Sequence, residues 1–481
     1  MKQLITLTSA EGKTVSFEAE KGETLYEALS RNGVGLSAPC AGRGKCGKCK
    51  VEVNGIDRLA CQTRIESDLS VRLHEAESSI LTKGNKLSYQ TDGSRGLAYA
   101  VDIGTTTVAA YLMDEFSGEQ LAATSFLNPQ RVHGADVISR MSFAEESLQN
   151  RMLLQREILQ ALNQGLQTLL KKAGFFADTK TDTRVFVGNT AMMHLFGGLD
   201  TSGIAKAPYI PAYTALHRQT LDGCAALLGG CISGYVGADT VAAMLSGDLD
   251  RTRENVLLLD IGTNGEIALK CKDELLCCSC AAGPAFEGAH IACGTGAIAG
   301  AVDHLRANGQ SFEYSTIGGK TAAGICGSGL VDAVAYLLEE ELITPVGRMK
   351  ERFAITDSIY IDPADIREVQ LAKAAIAAGI DILLDRAGIG YKDVASVQLA
   401  GGFGNFIDVH SACTIGLLPP ELEKKVIPVG NAAGDGAKMM ALSGEALSRA
   451  ESLRRKARYI ELSAQDDFED IYTEKLLFEA G

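Results

Sequence analysis

The sequence predicts a multidomain chain in which a small α+β domain precedes a larger α/β domain built from two related halves. Three observations predict it. Four cysteines crowd between positions 40 and 61 in a glycine-rich setting, and one strand–turn–strand pattern occurs twice, at Asp102 and at Asp260. The chain of 481 residues also exceeds what one hydrophobic core ordinarily organises.

Bulk composition narrows the function classes. Apolar residues at 46% and charged residues at 22% are ordinary for a globular chain with a large interior. A net charge of -14 repels phosphate backbones and argues against a nucleic-acid partner. The start reads as a strand without an apolar leader segment, and no apolar run reaches the roughly 18 residues of a membrane span. Thirteen cysteines, an odd number without an export signal, argue against a disulfide framework and for a reducing, cytoplasmic setting. Fifty-two glycines against ten prolines suit an α/β protein with many tight strand-to-loop turns.

Gln3–Ser9 and Lys13–Glu20 alternate as two strands. Thr24–Ser30 reads as a short helix, with Leu25, Ala28 and Leu29 on one face and Thr24 with Glu27 as a capping box. A glycine-rich loop comes next, then strands at Lys50–Val53 and Leu69–Leu73. The loop and the strand region after it carry Cys40, Cys46, Cys49 and Cys61 in the spacing C-x5-C-x2-C-x11-C. Two bridged irons need four converging thiolates, and Gly42, Gly44 and Gly47 let the backbone approach the sulfides. Structural zinc also takes four cysteines, but it favours two C-x2-C knuckles, and one short pair is present. The spacing therefore favours a [2Fe–2S] cluster. The order of elements resembles the β-grasp fold of ferredoxins, with a loop one residue longer than the plant type and an earlier last cysteine.

Residues 1–76 are thus expected to form a ferredoxin-type domain and 77–96, which are polar, a linker. Residues 97–250 and 251–481 are expected to be the two halves of the larger domain. Tyr99–Leu112 aligns with Leu257–Leu269: an apolar strand, an Asp-Ile-Gly-Thr turn, then a second apolar strand. Gly104 and Gly262 allow backbone amides near phosphate oxygens, and Thr105, Thr106, Thr107 and Thr263, beside Asn264, add polar donors. Asp102 and Asp260 at the strand ends suit Mg²⁺ held through its waters. Two such hairpins facing each other across a cleft would clamp the phosphates of ATP.

Three further segments come in an order that resembles the acetate and sugar kinase/actin superfamily. Val185–Leu195 and Val429–Leu442 are small-residue connections leading into helices that cross at a hinge. Val397–Asn405 is a buried strand ending in a glycine turn, where Gly401, Gly402 and Phe403 would border adenosine. Gly324–Ala335 either delivers amides to a phosphate or is a tight connection. Glu287, in a turn after the second hairpin, suits orienting an attacking water or binding the metal, and equally a solvated loop position. Cys271, Cys277, Cys278, Cys280 and Cys293 fit no ligand loop and read as small buried residues.

An N-terminal C-x5-C-x2-C-x11-C ferredoxin joined to Asp-Ile-Gly-Thr-Thr-Thr, Asp-Ile-Gly-Thr-Asn-Gly-Glu and Gly-Gly-Phe-Gly-Asn resembles the reductive activators of corrinoid proteins of anaerobic one-carbon metabolism. The resemblance implies a β-grasp ferredoxin domain followed by a duplicated actin-like (RNase H-like) ATPase domain. It implies ATP-dependent transfer of one electron from the cluster to an inactive Co(II) corrinoid methyl-carrier protein, returning it to Co(I). On it, Cys40, Cys46, Cys49 and Cys61 hold the cluster, and Asp102 and Asp260 hold Mg-ATP with the hairpin hydroxyls. It also implies an upstream low-potential electron donor, and it leaves a homodimer open. An activator for another low-potential reduction and a redox-sensing kinase of a small metabolite are the alternatives. The first would reduce a different acceptor; the second would turn over ATP with a metabolite and no acceptor.

Overall fold

Period-two patterning in the first segment builds a five-stranded sheet. Its strands are β1 (Lys2–Thr8), β2 (Thr14–Glu20), β3 (Lys50–Val53), β4 (Ile56–Leu59) and β5 (Leu69–Arg72), in the order β2-β1-β5-β3-β4. β1 runs antiparallel to β2 and parallel to β5. Helix α1 (Leu25–Arg31) lays Leu25, Tyr26, Ala28 and Leu29 into the core beneath it. The capping box is present: Thr24 N–H donates to Glu27 Oε2 at 2.9 Å and Glu27 N–H to Thr24 Oγ1 at 3.2 Å. The computed structural model describes residues 2–8, 14–32, 34, 49–73, 91–134, 136–309 and 311–478. Cys40, Cys46 and most of the expected linker lie outside these residues.

The rest of the chain carries two six-stranded sheets with matching cores. The first holds β6 (Leu97–Ile103), β7 (Thr107–Asp114), β8 (Gln120–Leu127), β9 (Thr183–Val187), β10 (His217–Leu221) and β11 (Cys224–Leu228), in the order β10-β11-β9-β6-β7-β8. Its helices are α2 (Val137–Glu146), α3 (Leu148–Lys172), α4 (Thr190–Gly197), α5 (Ser202–Ala205) and α6 (Ala238–Ser246). The second begins with β12 (Val256–Ile261), β13 (Gly265–Cys271) and β14 (Glu274–Cys280). An excursion leads through β15 (Ala301–Asn308), β16 (Ser311–Thr316), β17 (Gly324–Ile325), α7 (Gly327–Glu339), β18 (Phe353–Ala354), β19 (Tyr360–Ile361) and α8 (Pro363–Ala387). The chain then adds β20 (Ser396–Ala400), α9 (Gly401–Gly404), α10 (Val409–Thr414), β21 (Val426–Gly430), α11 (Ala432–Leu442), α12 (Gly444–Lys456), β22 (Arg458–Tyr459) and α13 (Phe468–Lys475). The second sheet's order is β21-β20-β12-β13-β14-β22.

Each sheet is an antiparallel three-strand meander joined by strands parallel to its first member. β9 runs parallel to β6 and β11 to β9; β20 runs parallel to β12 and β21 to β20. That shared topology is the duplication expected from the repeated hairpin. In register, Asp102 stands opposite Ala109 and Val187, and Asp260 opposite Glu266 and Ala400. Each aspartate therefore sits one residue before its strand ends. Helix boundaries reflect their local chemistry. α8, for example, starts on capping Asp362 with Pro363 in its first turn and stops at Gly388, whose φ is +67°.

The cysteine-rich stretch is core except at Cys293, which is only partly buried. β14 returns antiparallel to β13, and Cys277, Cys278 and Cys280 are buried on it. Burial pushes the Cys277 thiol up to about 12, so it stays protonated and apolar in character.

The helix pair that crosses most closely is α6 with α11. A Cβ on Gly436 would lie 2.0 Å from the Ala242 carbonyl oxygen, so the two backbones touch there and any side chain would part them. Val185–Leu195 does not supply the partner of this crossing. It forms β9 and α4, and Ala238–Ser246 takes the crossing role, with small Ala242 against Gly436 at the closest approach. Although late in sequence, α11 and α12 pack in the hydrophobic cluster of the first sheet, with Ala432, Ala437, Ala446 and Leu453 beside Ala100 and Val241.

Candidate functional site

The first hairpin turn is tied down by three asparagines. A Cβ on Gly104 would strike the Thr107 carbonyl oxygen at 2.3 Å, so the turn closes as tightly as it does because residue 104 is glycine. Asn128 Nδ2 donates to the Gly104 carbonyl at 2.9 Å, and its N–H to that of Thr106 at 3.0 Å. Asn189 Nδ2 donates to Thr105 Oγ1 at 2.8 Å. Asn431, the cap of α11, donates to Asp102 Oδ2 at 3.1 Å and accepts from Gly434 N–H at 2.7 Å. Thr107 begins β7 and is part of the strand rather than the turn.

In the second hairpin, Gly262 N–H donates to the Asn264 carbonyl at 2.9 Å, closing the turn on itself. Gly401 has φ +88°, and a Cβ there would meet Asp260 Oδ1 at 2.7 Å, so glycine at this point gives the carboxylate its room. The expected glycine turn is one helical turn, α9. Gly402 is exposed, and Phe403 stacks on Phe286 with centroids 4.8 Å apart and planes 9° apart.

Glu287 joins the two hairpins. Thr106 donates to its Oε2 at 2.8 Å and Thr263 to its Oε1 at 2.8 Å. The solvated-loop alternative for Glu287 is excluded by these contacts. Arg131, in the turn after β8, is pulled down by burial and held up by the charge of Glu287.

Four half-buried carboxyls share the cleft. Burial, then the charge of Asp239, raise Asp102 to about 8, while its hydrogen bond from Asn431 opposes the rise. The same two causes raise Asp260 to about 7. Glu266 is raised well above the carboxylate range by burial, then by Asp239 and Asp260, and burial also raises Asp239. Asp239 and Glu266 carried no expectation. Asp239 sits in the first turn of α6, whose small residues look like plain packing, whereas Glu266 faces Asp260 by strand register and could have been found from pairing. Arg131, Asn128, Asn189 and Asn431 likewise carry no local sequence signal.

Gly324–Ala335 is a tight connection. Cβ atoms on Gly327 and Gly329 would strike the carbonyl oxygens of Phe286 and Val302 at 2.1 and 2.3 Å, so these glycines serve close packing of α7.

In the small domain, the Cys49 and Cys61 sulfurs lie 3.2 Å apart, and Cys61 N–H donates to Cys49 Sγ at 3.4 Å. Two thiols drawn together from separate elements, one accepting a backbone N–H, fit iron–sulfur ligation. Cys40 and Cys46 fall outside the described residues. Among the described residues, no helix is long and apolar enough to cross a membrane.

Comparisons with known proteins agree with this architecture. Residues 9–66 match the family model of the 2Fe-2S iron-sulfur cluster binding domain, 97–252 that of the RACo middle region, and 254–480 that of the C-terminal domain of RACo, the ASKHA domain. The chain is 33% identical over 482 residues to the corrinoid activation enzyme RamQ of Eubacterium limosum, covering 89% of this chain and 80% of that protein. It is 28% identical over 291 residues to the [Co(II) methylated amine-specific corrinoid protein] reductase of Methanosarcina barkeri, covering 55% and 54%. A solved structure of a reductive activator for a corrinoid, iron-sulfur protein superposes with a TM-score of 0.72 at 27% identity, over 99% and 98% of the two chains. The chain belongs to the family of reductive activators of corrinoid proteins, with a 2Fe–2S domain joined to an actin-like ASKHA ATPase domain.

Proposed function

We propose that this chain passes one electron to an inactive Co(II) corrinoid protein and returns it to Co(I), using ATP bound between the two hairpins. The observation that carries the reading is near-full-length similarity to a corrinoid activation enzyme in a chain whose cleft keeps both hairpin aspartates. Cys40, Cys46, Cys49 and Cys61 would hold the [2Fe–2S] cluster, which supplies one electron at a time and is recharged by an upstream low-potential donor.

The chain's own residues set up the nucleotide site. Gly104 and Gly262 bring turn amides to the phosphates, and the Thr105, Thr106 and Thr263 hydroxyls point to the same region. Asp102 and Asp260, with Asp239 and Glu266 behind them, form a donor set whose mutual repulsion a divalent cation relieves. Among the described residues, no three such side chains converge on one ion. Mg²⁺, which dehydrates reluctantly, would sit near Asp102 and Asp260 and would neutralise phosphate charge there. Glu287 and Arg131 flank the hairpin hydroxyls, where they orient water and balance charge. Gly401, Gly402 and Phe403 border the adenosine. Closure of the two halves around the nucleotide is the two-state element that ATP biases.

The test is anaerobic and spectroscopic. Reduced protein is mixed with a Co(II) corrinoid protein with and without Mg-ATP, and Co(I) absorbance is followed. Co(I) appearing only with ATP, and lost in Asp260→Ala and in Cys46→Ser, supports the reading. ATP turnover with a reducible cluster but no Co(I) would assign a different acceptor.

A further inference from the structure

Asp92 closes a joint at the far end of the helix that holds Asp102. Its N–H donates to the Leu442 carbonyl at 3.1 Å, and its Oδ2 accepts the Gly444 N–H at 2.9 Å. Leu442 ends α11 and Gly444 begins α12, so one exposed residue satisfies an orphan carbonyl of one helix and an orphan N–H of the next. A carboxylate at the start of α12 also meets the positive end of that helix. The neighbouring Thr91 hydroxyl donates to the Phe116 carbonyl at 3.1 Å, in the turn between β7 and β8. The segment leading into β6 is thus pinned at two points before the first sheet begins.

The other end of α11 lies at the nucleotide site, where Asn431 contacts Asp102. Between these ends the helix behaves as a rod. All eleven of its residues are buried, and it spans about 16 Å. Lys438 pairs with Asp435 at 2.6 Å and bonds Gln120 at 3.2 Å, fixing the rod to the first sheet, while Gly436 seats it against α6. A displacement of Asn431 along the axis is therefore delivered to Leu442 and Gly444 with little loss.

We propose that Asp92 is a positioning residue that couples the nucleotide site to the place where the ferredoxin domain's tether leaves the ATPase domain. Seventeen residues separate Leu73, the end of the small domain's described chain, from Thr91. Covalent length alone confines the cluster domain to within about 60 Å of that anchor. Moving or loosening the anchor changes which acceptor geometries are reachable without altering either cofactor site. The inference rests on the proposed nucleotide site.

Hydrogen exchange and electron transfer test it together, using the full chain, Mg²⁺ with a non-hydrolysable ATP analogue, and Asp92→Ala with Asp92→Asn. In the unsubstituted protein the analogue should protect the amides of residues 102–107 and 260–264, and also those of 91–96 and 442–446. Asp92→Ala should keep the hairpin protection and ATP turnover while losing protection at 91–96. Its ATP-stimulated reduction of the Co(II) corrinoid protein should fall at least about five-fold, the lower end of common coupling strengths. Asp92→Asn, whose amide oxygen still accepts from Gly444, should restore most of both. Hairpin protection without any change at 91–96 overturns the proposal. So does an Asp92→Ala protein with unaltered ATP stimulation, or one that loses ATP turnover in proportion. Absence of hairpin protection overturns the nucleotide site itself, and the coupling with it.

Discussion

Glu287 accepts the Thr106 hydroxyl at 2.8 Å although 181 positions separate them, and its second oxygen accepts Thr263 at 2.8 Å. A single carboxylate therefore spans the two halves of the duplication at their hairpin turns. Hydrogen bonds to a charged acceptor contribute about 1.5–3 kcal/mol each. Glu287→Ala is expected to slow ATP turnover about 10- to 100-fold, read by phosphate release. Thr106→Val should reproduce part of that loss. The double variant should lose less than the sum, because both changes break the same contact. Strict additivity would show that the two residues act separately.

The cleft carboxyls set a pH dependence with a definite sign. Asp102 near 8 and Asp260 near 7 stand above the ordinary carboxylate value of about 3.9, so the folded chain binds protons that the unfolded chain has lost. The stability these groups contribute is complete below about pH 4 and is lost as pH rises through their folded values. Without divalent cation, the melting temperature of the ATPase domain should fall between pH 6 and pH 8.5. With Mg-ADP, whose cation neutralises the cluster, the fall should flatten and Mg²⁺ affinity should rise with pH. Differential scanning fluorimetry at several pH values, with and without Mg-ADP, measures both. Parallel curves in the two conditions would show that the carboxyls do not meet the cation.

Asp239 is the charge that raises both hairpin aspartates after burial. Asp239→Asn keeps its size and removes that charge. The pH at which Mg²⁺ affinity rises should then move down, while affinity at high pH should fall because one anionic group is gone. A titration of Mg²⁺ binding at pH 6 and pH 8.5 separates these effects. An unchanged midpoint would place Asp239 outside the cation's field.

Much of this architecture is legible in the sequence because local rules dominate it. The repeated Asp-Ile-Gly-Thr turn needs a glycine and flanking apolar strands, and both hairpins form with the aspartates at equivalent positions. The buried cysteines of β14 follow from a continuous apolar strand covered on both faces, Cys277 in one core and Cys278 and Cys280 in the other. What is not legible depends on distant partners. Asp239 comes to Asp102 and Asp260 through the crossing of α6 and α11, a contact that small residues permit but do not announce. Asn128, Asn189 and Asn431 act as ties because three separate loops converge on one turn. Asp92 lies in a polar stretch that reads as linker, and its partners are 350 residues away in sequence.

Two glycines distinguish packing from ligand contact. At Gly436 a Cβ would lie 2.0 Å from a backbone oxygen of α6, which cannot yield as a side-chain tip can. Gly436→Ala must part the two helices, and overpacking of this kind costs about 1–3 kcal/mol. Because Asn431 rides on the same helix, its bond to Asp102 should weaken as well. The variant should melt earlier and lose ATP turnover, while the visible spectrum of the cluster domain stays unchanged. At Gly402, by contrast, a Cβ would meet nothing within 4 Å, and the backbone is not in the left-handed region. Gly402→Ala should therefore leave the melting temperature unaltered. If adenosine lies against this turn, the added methyl group intrudes on the ligand alone, and KM for ATP should rise at constant stability. An unchanged KM would move the adenosine away from Gly402 and leave the phosphate hairpins as the part of the site that these residues define.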